Sequence, residues 1–248
     1  MCTLIIGRKV LGPGTVLLGA NRDERPERPT DPPGVLSAEP YVVGGRDAEA
    51  GGTWLAVREG RAAVAILNRR EPPGAKTARA RRSRGLLAID VATAPDARIR
   101  AREAVAESDY APFSLVYASP EAVWLLAFGV DRVPRMSDID GGWHVLTHTD
   151  LDDEGEPRTK RLLGELAGFQ PSSLEEALQR LGDLLRSHGD ERDHPAPPVC
   201  LHDGVMRTVS SSLVFLAPDR ARYLHAPGRP CEHRYQDLSG LLEARSDA

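Results

Sequence analysis

The sequence is poor in cysteine: 248 residues contain three, at positions 2, 200 and 231. So odd and sparse a set excludes a disulfide framework as the source of stability. Long apolar runs are missing too, and no window approaches the roughly 18 consecutive apolar residues of a membrane-spanning helix. There is no excess of positive charge, since 36 acidic residues outweigh 32 basic ones for a net charge of -4. Nucleic acid and anionic membranes are therefore not expected as main partners. A secretory signal is lacking as well: the apolar run Leu4-Ile5-Ile6 is short and is followed, not preceded, by Arg8 and Lys9. The expectation is a cytoplasmic protein with no integral membrane association. Internal repetition is limited to Gly-Gly-x-Trp at 51–54 and Gly-Gly-Trp at 141–143.

What is present can build a core, because 41% of the residues are hydrophobic, and we read residues 1–248 as a single domain. The chain opens on a predicted hairpin. Its strands are 2–8 and 15–20, its turn is Gly12-Pro13-Gly14, and it runs on into Asn21-Arg22-Asp23-Glu24. A turn centred near residues 12 and 13 pairs positions whose numbers sum to about 25 or 26, setting Cys2 opposite Asp23 or Glu24. The proline-rich stretch 25–33 reads as an ordered loop, since proline removes ladder donors.

Strands follow at 41–43, 53–57 and 62–67, the last ending on Asn68. Helical periodicity covers 86–91 and then 96–105, with Asp96 as cap. Strands at 113–117 and 122–128 are apolar enough for burial on both faces. Another strand spans 144–148, helices cover 158–166 and 174–188 with Ser173 as cap, and short strands are expected at 199–202, 206–209, 212–216 and 222–224. Runs of strands broken by paired helices indicate an α+β fold.

Several groups of residues carry chemistry. If Met1 is trimmed, Cys2 joins a nucleophilic thiol to a free α-amine of pKa near 8, and the amine can take the thiol proton. An arginine nearby favours thiolate, and an aspartate can orient the amine. Alternatively, Cys2 is a small apolar residue starting a buried strand. The run from Asn21 to Glu24 is either a solvated turn or a polar cluster facing Cys2. The basic loop 76–84, with Lys76, Arg79, Arg81, Arg82 and Arg84, suits an anionic ligand, though an exposed hydrated loop fits it equally. His144 with His148, and Cys200 with His202, each offer two ligands on one strand face. Two ligands do not make a site, and no metal is expected. Ser210-Ser211-Ser212 is ordinary for a strand start.

Together these residues resemble the NRDE family, also called the transport and Golgi organisation protein 2 family. The resemblance rests on Met1-Cys2, Ala20-Asn21-Arg22-Asp23-Glu24 with Arg28-Pro29, Gly51-Gly52-Thr53-Trp54-Leu55, the strand ending in Asn68, Ser83-Arg84-Gly85 and Phe113-Ser114-Leu115-Val116. It implies a four-layer αββα fold similar to the N-terminal nucleophile hydrolases, which cleave amides with an N-terminal cysteine. Carried over, Cys2 is the nucleophile, Asp23 holds its amine and Arg22 completes the catalytic set. Asn21, Glu24, Trp54, Asn68, Arg84, His148 and Arg207 become candidates for binding substrate. Those hydrolases carry their arginine three residues before the aspartate, where this chain has Ala20, and an asparagine for the oxyanion where the best match here is His148. Arg207 corresponds to their distal arginine. The resemblance implies either a small-molecule amidohydrolase or acyl-transfer enzyme, or a carrier of haem or acyl-CoA using the same pocket. No cofactor is expected for the enzyme, and haem would be a ligand of the carrier.

Overall fold

A computed structural model of the chain describes residues 2–70, 82–189 and 197–243. In order the elements are β1 (Thr3–Arg8), β2 (Val16–Glu24), β3 (Thr30–Ser37), β4 (Val42–Asp47), β5 (Leu55–Arg58), β6 (Ala62–Asn68), α1 (Arg84–Thr93), α2 (Ala97–Glu107), β7 (Phe113–Ala118) and β8 (Val123–Phe128). They continue with β9 (Pro134–Asp138), β10 (Gly142–Leu146), α3 (Pro157–Leu166), α4 (Leu174–Leu185), β11 (Arg207–Leu216), β12 (Ala221–Ala226) and β13 (Gln236–Asp237). The chain divides into two compact units, one of Met1–Glu27 with Asp140–Ser239, the other of Arg28–Ile139 with Gly240–Ala248. No helix among the described residues is long and apolar enough to cross a membrane.

The first unit is built on a sheet of order β10-β1-β2-β11-β12-β13. Its centre is the expected hairpin, closed by Lys9 N–H donating to Thr15 O at 2.8 Å and Gly12 N–H donating to Lys9 O at 3.2 Å. Thr3 pairs with Asn21 and Arg8 with Val16, one or two residues short of the register expected from the turn. On one face Ile5, Leu17, Val145, Leu213 and Phe215 pack with Leu162 and Leu166 of α3 and the apolar stripe of α4. Ser173 caps α4, accepting from Glu176 N–H at 3.1 Å, as the sequence indicated. The predicted pieces 206–209 and 212–216 are one strand, β11, interrupted by a bulge between Thr208 and Ser210. The predicted strand 199–202 is not one. Its backbone turns aside, with the N–H groups of Val199 and Cys200 both donating to Ser187 O at 3.0 Å.

The second unit carries a sheet whose order follows the sequence, β3 through β9. Neighbouring strands pair without crossovers, so the whole sheet is a chain of local connections. The prolines at 32 and 33 lie in a strand after all, but β3 is an edge, and its pairing with β4 slips between Asp31 and Gly34 where those prolines interrupt it. The exposed edge strand β9 carried no apolar alternation and was not foreseen. Phe113, Leu115, Trp124, Leu126 and Phe128 pack against Leu87, Ala88 and Val91 of α1 and Ala101 and Ala104 of α2. Val116, Ala118 and Leu125 on the opposite face are also buried, as their apolar runs predicted. Asp96 caps α2, accepting from Ile99 N–H at 2.9 Å.

The motifs at 51–55 and 83–85 meet backbone to backbone. Thr53 N–H donates to Gly85 O at 3.1 Å, and a Cβ added to Gly52 would lie 2.2 Å from the Gly85 carbonyl carbon. A side chain at either glycine would force apart the start of α1 and the segment that leads into β5. Gly52→Ala is accordingly expected to lower stability by about 1–3 kcal/mol. A shift of the urea unfolding midpoint checks this, and a midpoint equal to the parent's would show that the contact relaxes freely.

Candidate functional site

Strand pairing brings the first motif together. Thr3 faces Asn21 across β1 and β2, so one step further sets Cys2 across from Arg22. On the other side Leu4 faces Leu146, the last residue of β10, and His148 follows in the bend beyond that strand. Arg22 in turn pairs with Ser210 of β11. Directly opposed residues share a face, which puts Cys2, at the start of β1, in one row with Arg22 and Ser210 across β1, β2 and β11. His148, Arg22 and Ser210 are buried, and among the described residues the Ser210 hydroxyl has no hydrogen-bond partner. The expected meeting of Cys2 with the Asn21–Glu24 run is present, although the residue across from the thiol is Arg22.

Asp23 reaches Cys2 by its backbone, since the Cys2 thiol donates to Asp23 O at 3.8 Å. Its side chain turns to the opposite face, where the bulge in β11 supplies a partner. With unbroken register Val209 would stand opposite Asp23; the bulge puts Thr208 there instead. The Thr208 hydroxyl donates to Asp23 Oδ1 at 2.7 Å. Arg158 Nη1 lies 3.7 Å from Asp23 Oδ2 and donates to the Thr3 hydroxyl at 3.0 Å. Both charged side chains are buried.

Arg158 was not foreseen. It lies in the first turn of α3, whose cap is Glu156, a carboxylate accepting from Thr159 N–H at 2.7 Å, and whose first residue is Pro157. A buried arginine at a helix N-terminus opposes the helix dipole. The one signal available in the sequence was therefore a cation in an unfavourable place.

Burial raises the Asp23 carboxyl from 3.8 to about 6, against the lowering effects of Thr208 and Arg158. Burial also pushes the Cys2 thiol above its usual range, and the Asp23 carboxylate adds to this. The thiol is thus protonated at neutral pH and needs a base before it can attack.

Asn21 has a structural task. Its Nδ2 donates to Leu185 O at 2.8 Å and Val199 O at 3.0 Å, tying β2 to the end of α4 and to the segment before β11. Glu24 Oε1 accepts from Arg25 N–H at 2.9 Å. Arg207 is its strand partner, but Arg207 is exposed and its Nε donates to Gly204 O at 3.3 Å.

Trp54, Asn68 and Arg84 belong to the second unit. Trp54 lies over Gly45, where a Cβ would come within 2.2 Å of the ring. Asn68 is exposed at the end of β6, and Arg84 begins α1 and donates to Pro112 O at 3.0 Å. Of the basic loop, Lys76, Arg79 and Arg81 lie outside the described residues. Arg82 is engaged internally, forming a two-pronged contact with Asp90 and donating to the Tyr110 hydroxyl at 2.6 Å. The pairing of His144 with His148 as metal ligands does not hold, because His144 Nδ1 is 2.7 Å from Asp152 Oδ2 and its Nε2 is 3.1 Å from Asp140 O.

Two outcomes follow from the buried carboxyl. Its folded-state pKa is raised, so between 3.8 and about 6 the folded chain keeps a proton that the unfolded chain has lost. The stability contributed by Asp23 is present below that window and falls as pH rises through it, by about 3 kcal/mol at the usual 1.36 per pH unit. Asp23→Asn should remove that slope when urea midpoints are compared across the window, and an unaltered slope would mean the carboxyl is ionised throughout. Arg158→Met leaves the carboxyl without its cation and should cost about 3–5 kcal/mol. Much of that loss should disappear in the Asp23→Asn background, which a double-mutant cycle measures.

Comparison with known proteins agrees with this architecture. An N-acylethanolamine-hydrolyzing acid amidase ortholog of Caenorhabditis elegans superposes with a TM-score of 0.60 at 14% identity, over 86% of this chain and 92% of that one. Two variants of the conjugated bile acid hydrolase of Clostridium perfringens align over 96% of this chain at 12% and 11% identity, with TM-scores of 0.42 and 0.46 and coverage of 96% and 97% of those chains. No curated protein sequence matches the chain. The fold is the α+β fold of the N-terminal nucleophile hydrolases, with two antiparallel sheets and four helices among the described residues. The sequence profile described as Transport and Golgi organisation 2 matches residues 1–223, and the chain belongs to that family.

Proposed function

We propose that the protein is an N-terminal cysteine hydrolase or acyl-transfer enzyme acting on the amide or thioester bond of a small acyl compound with an anionic group. The observation that carries this reading is the row of Cys2, Arg22 and Ser210, backed by the buried Asp23 directly behind it. Removal of Met1 frees the α-amine of Cys2. The amine takes the thiol proton, and the thiolate attacks the acyl carbonyl carbon to form a sulfur–carbon bond. Arg22, across from Cys2, and the buried His148 meet the charge that develops on the carbonyl oxygen. The ammonium then returns the proton to the leaving amine or thiol as the carbon–nitrogen or carbon–sulfur bond breaks. A thioester on Cys2 remains, and water or another nucleophile resolves it. Asp23, shared between Thr208 and Arg158, holds the N-terminus in place.

The worm amidase named above has this fold, which makes N-acylethanolamines reasonable members of a substrate panel alongside acyl amino acids and acyl-CoA thioesters. Intact mass should show Met1 absent, and Cys2→Ala should lower kcat/KM by orders of magnitude on whichever panel member is turned over. Retention of Met1 in every molecule, or a Cys2→Ala variant as active as the parent, would falsify the proposal. Saturable binding of haem or acyl-CoA with no turnover would instead favour the carrier.

A further inference from the structure

Outside this row, four side chains from distant parts of the first unit converge. His188 follows α4, Cys200 and His202 lie on the segment before β11, and Cys231 lies on the loop between β12 and β13. One ligand atom of each falls within 4.8 Å of all the others. Cys200 Sγ is 3.4 Å from Cys231 Sγ, and His202 Nε2 is 3.0 Å from Cys231 Sγ. The rings of His188 and His202 meet edge to face with centroids 4.6 Å apart. A tetrahedron drawn with zinc–sulfur bonds of about 2.3 Å and zinc–nitrogen bonds of about 2.0–2.1 Å has edges of about 3.3–3.8 Å. The cluster is close to that size.

We infer that His188, Cys200, His202 and Cys231 form a structural zinc site. Two sulfurs and two imidazole nitrogens in tetrahedral array are the donor set characteristic of zinc. A disulfide between the two cysteines would use the sulfurs alone and leave the convergence of both imidazoles unexplained. His202 turns Nε2 to the cluster, 3.0 Å from Cys231 Sγ, while its Nδ1 faces away, 3.7 Å from Glu232 Oε1, the side on which zinc-bound histidines carry their outer partner.

The backbone holds the four in place without a metal. Ser187 O receives the N–H groups of Val199 and Cys200, which fastens the neighbour of His188 to Cys200. The N–H groups of Glu232 and His233 both donate to Arg229 O, at 3.0 and 2.8 Å, and this tight turn presents Cys231.

Zinc here would reach the reactive row through hydrogen bonds already described. Asn21 holds the carbonyls of Leu185 and Val199. Leu201, between Cys200 and His202, exchanges hydrogen bonds with Thr208, its N–H donating to the hydroxyl at 2.8 Å and its carbonyl accepting Thr208 N–H at 3.1 Å. Thr208 is the residue that donates to Asp23. The metal would thus brace the segment on which both Asn21 and the Asp23 partner depend. Cys2 is not one of the four, so this site and the catalytic proposal stand or fall separately.

Protein purified from reducing cytosol, and the same protein reconstituted with zinc chloride, should each contain one zinc per chain by elemental analysis. Cobalt substitution should give a thiolate-to-cobalt charge-transfer band and the strong visible bands of a tetrahedral ion. Cys231→Ser and Cys200→Ser should abolish both, while Cys2→Ser should change neither. His188 is exposed, so His188→Ala leaves the core intact and should weaken zinc at least about tenfold. Substoichiometric zinc after reconstitution, a Cys200–Cys231 disulfide found by peptide mapping of the purified protein, or equal zinc affinity in His188→Ala and the parent would each overturn the inference.

Discussion

A carboxylate on the second strand has been taken out of water, and much of the first unit is arranged around satisfying it. Asp23 cannot be buried alone, because an uncompensated charge in the interior costs several kcal/mol. Its partners come from far along the chain: a hydroxyl that β11 can offer only by bulging, and a guanidinium that α3 can offer only by placing a cation at its own positive end. Neither feature stabilises its own element. Each makes sense as a response to Asp23, and together they fix the end of β11 and the start of α3 relative to the strand that carries the acid.

The alternation of side chains along β2 separates two jobs. Asn21 and Asp23 point towards the helices and tie the sheet to them, while Arg22 shares the face of Cys2. This also bears on the departure from the hydrolase pattern, which places an arginine where this chain has Ala20. A shift of two residues along a strand preserves the face, whereas a shift of one would have reversed it. Arg22 therefore presents its charge on the side where Ala20 would have presented it, one pleat nearer the strand end.

What was legible in the sequence is what is local. The hairpin, the strand pairs 55–68 and 113–128, and the caps Asp96 and Ser173 each follow from residues within a few positions of one another. The register was off by one or two because the loop from Lys9 to Thr15 holds its own hydrogen bonds, which composition does not reveal. Arg158 was missed because its partner lies 135 positions away, and nothing in an isolated helix start announces such a pairing. The segment 199–202 looked like a strand by its apolar residues, yet Ser187 O and the Thr208 hydroxyl take its amide hydrogens and leave no ladder. In the sequence Cys200 and His202 offer two ligands on one short stretch; His188 and Cys231 join them only through the fold.

The strand order β10-β1-β2-β11 has a consequence in time. During synthesis the second unit can grow strand by strand, each pairing with the one just made. The opening hairpin cannot complete its sheet in that way, since one side waits for residues 142–146 and the other for residues 207–216. Until then both of its edges carry unpaired backbone groups, the condition under which nascent chains misassociate. The end of the molecule that carries Cys2 is begun early and finished late, and a ribosome stalled between the two would expose a hairpin whose thiol still lacks its neighbours from β11.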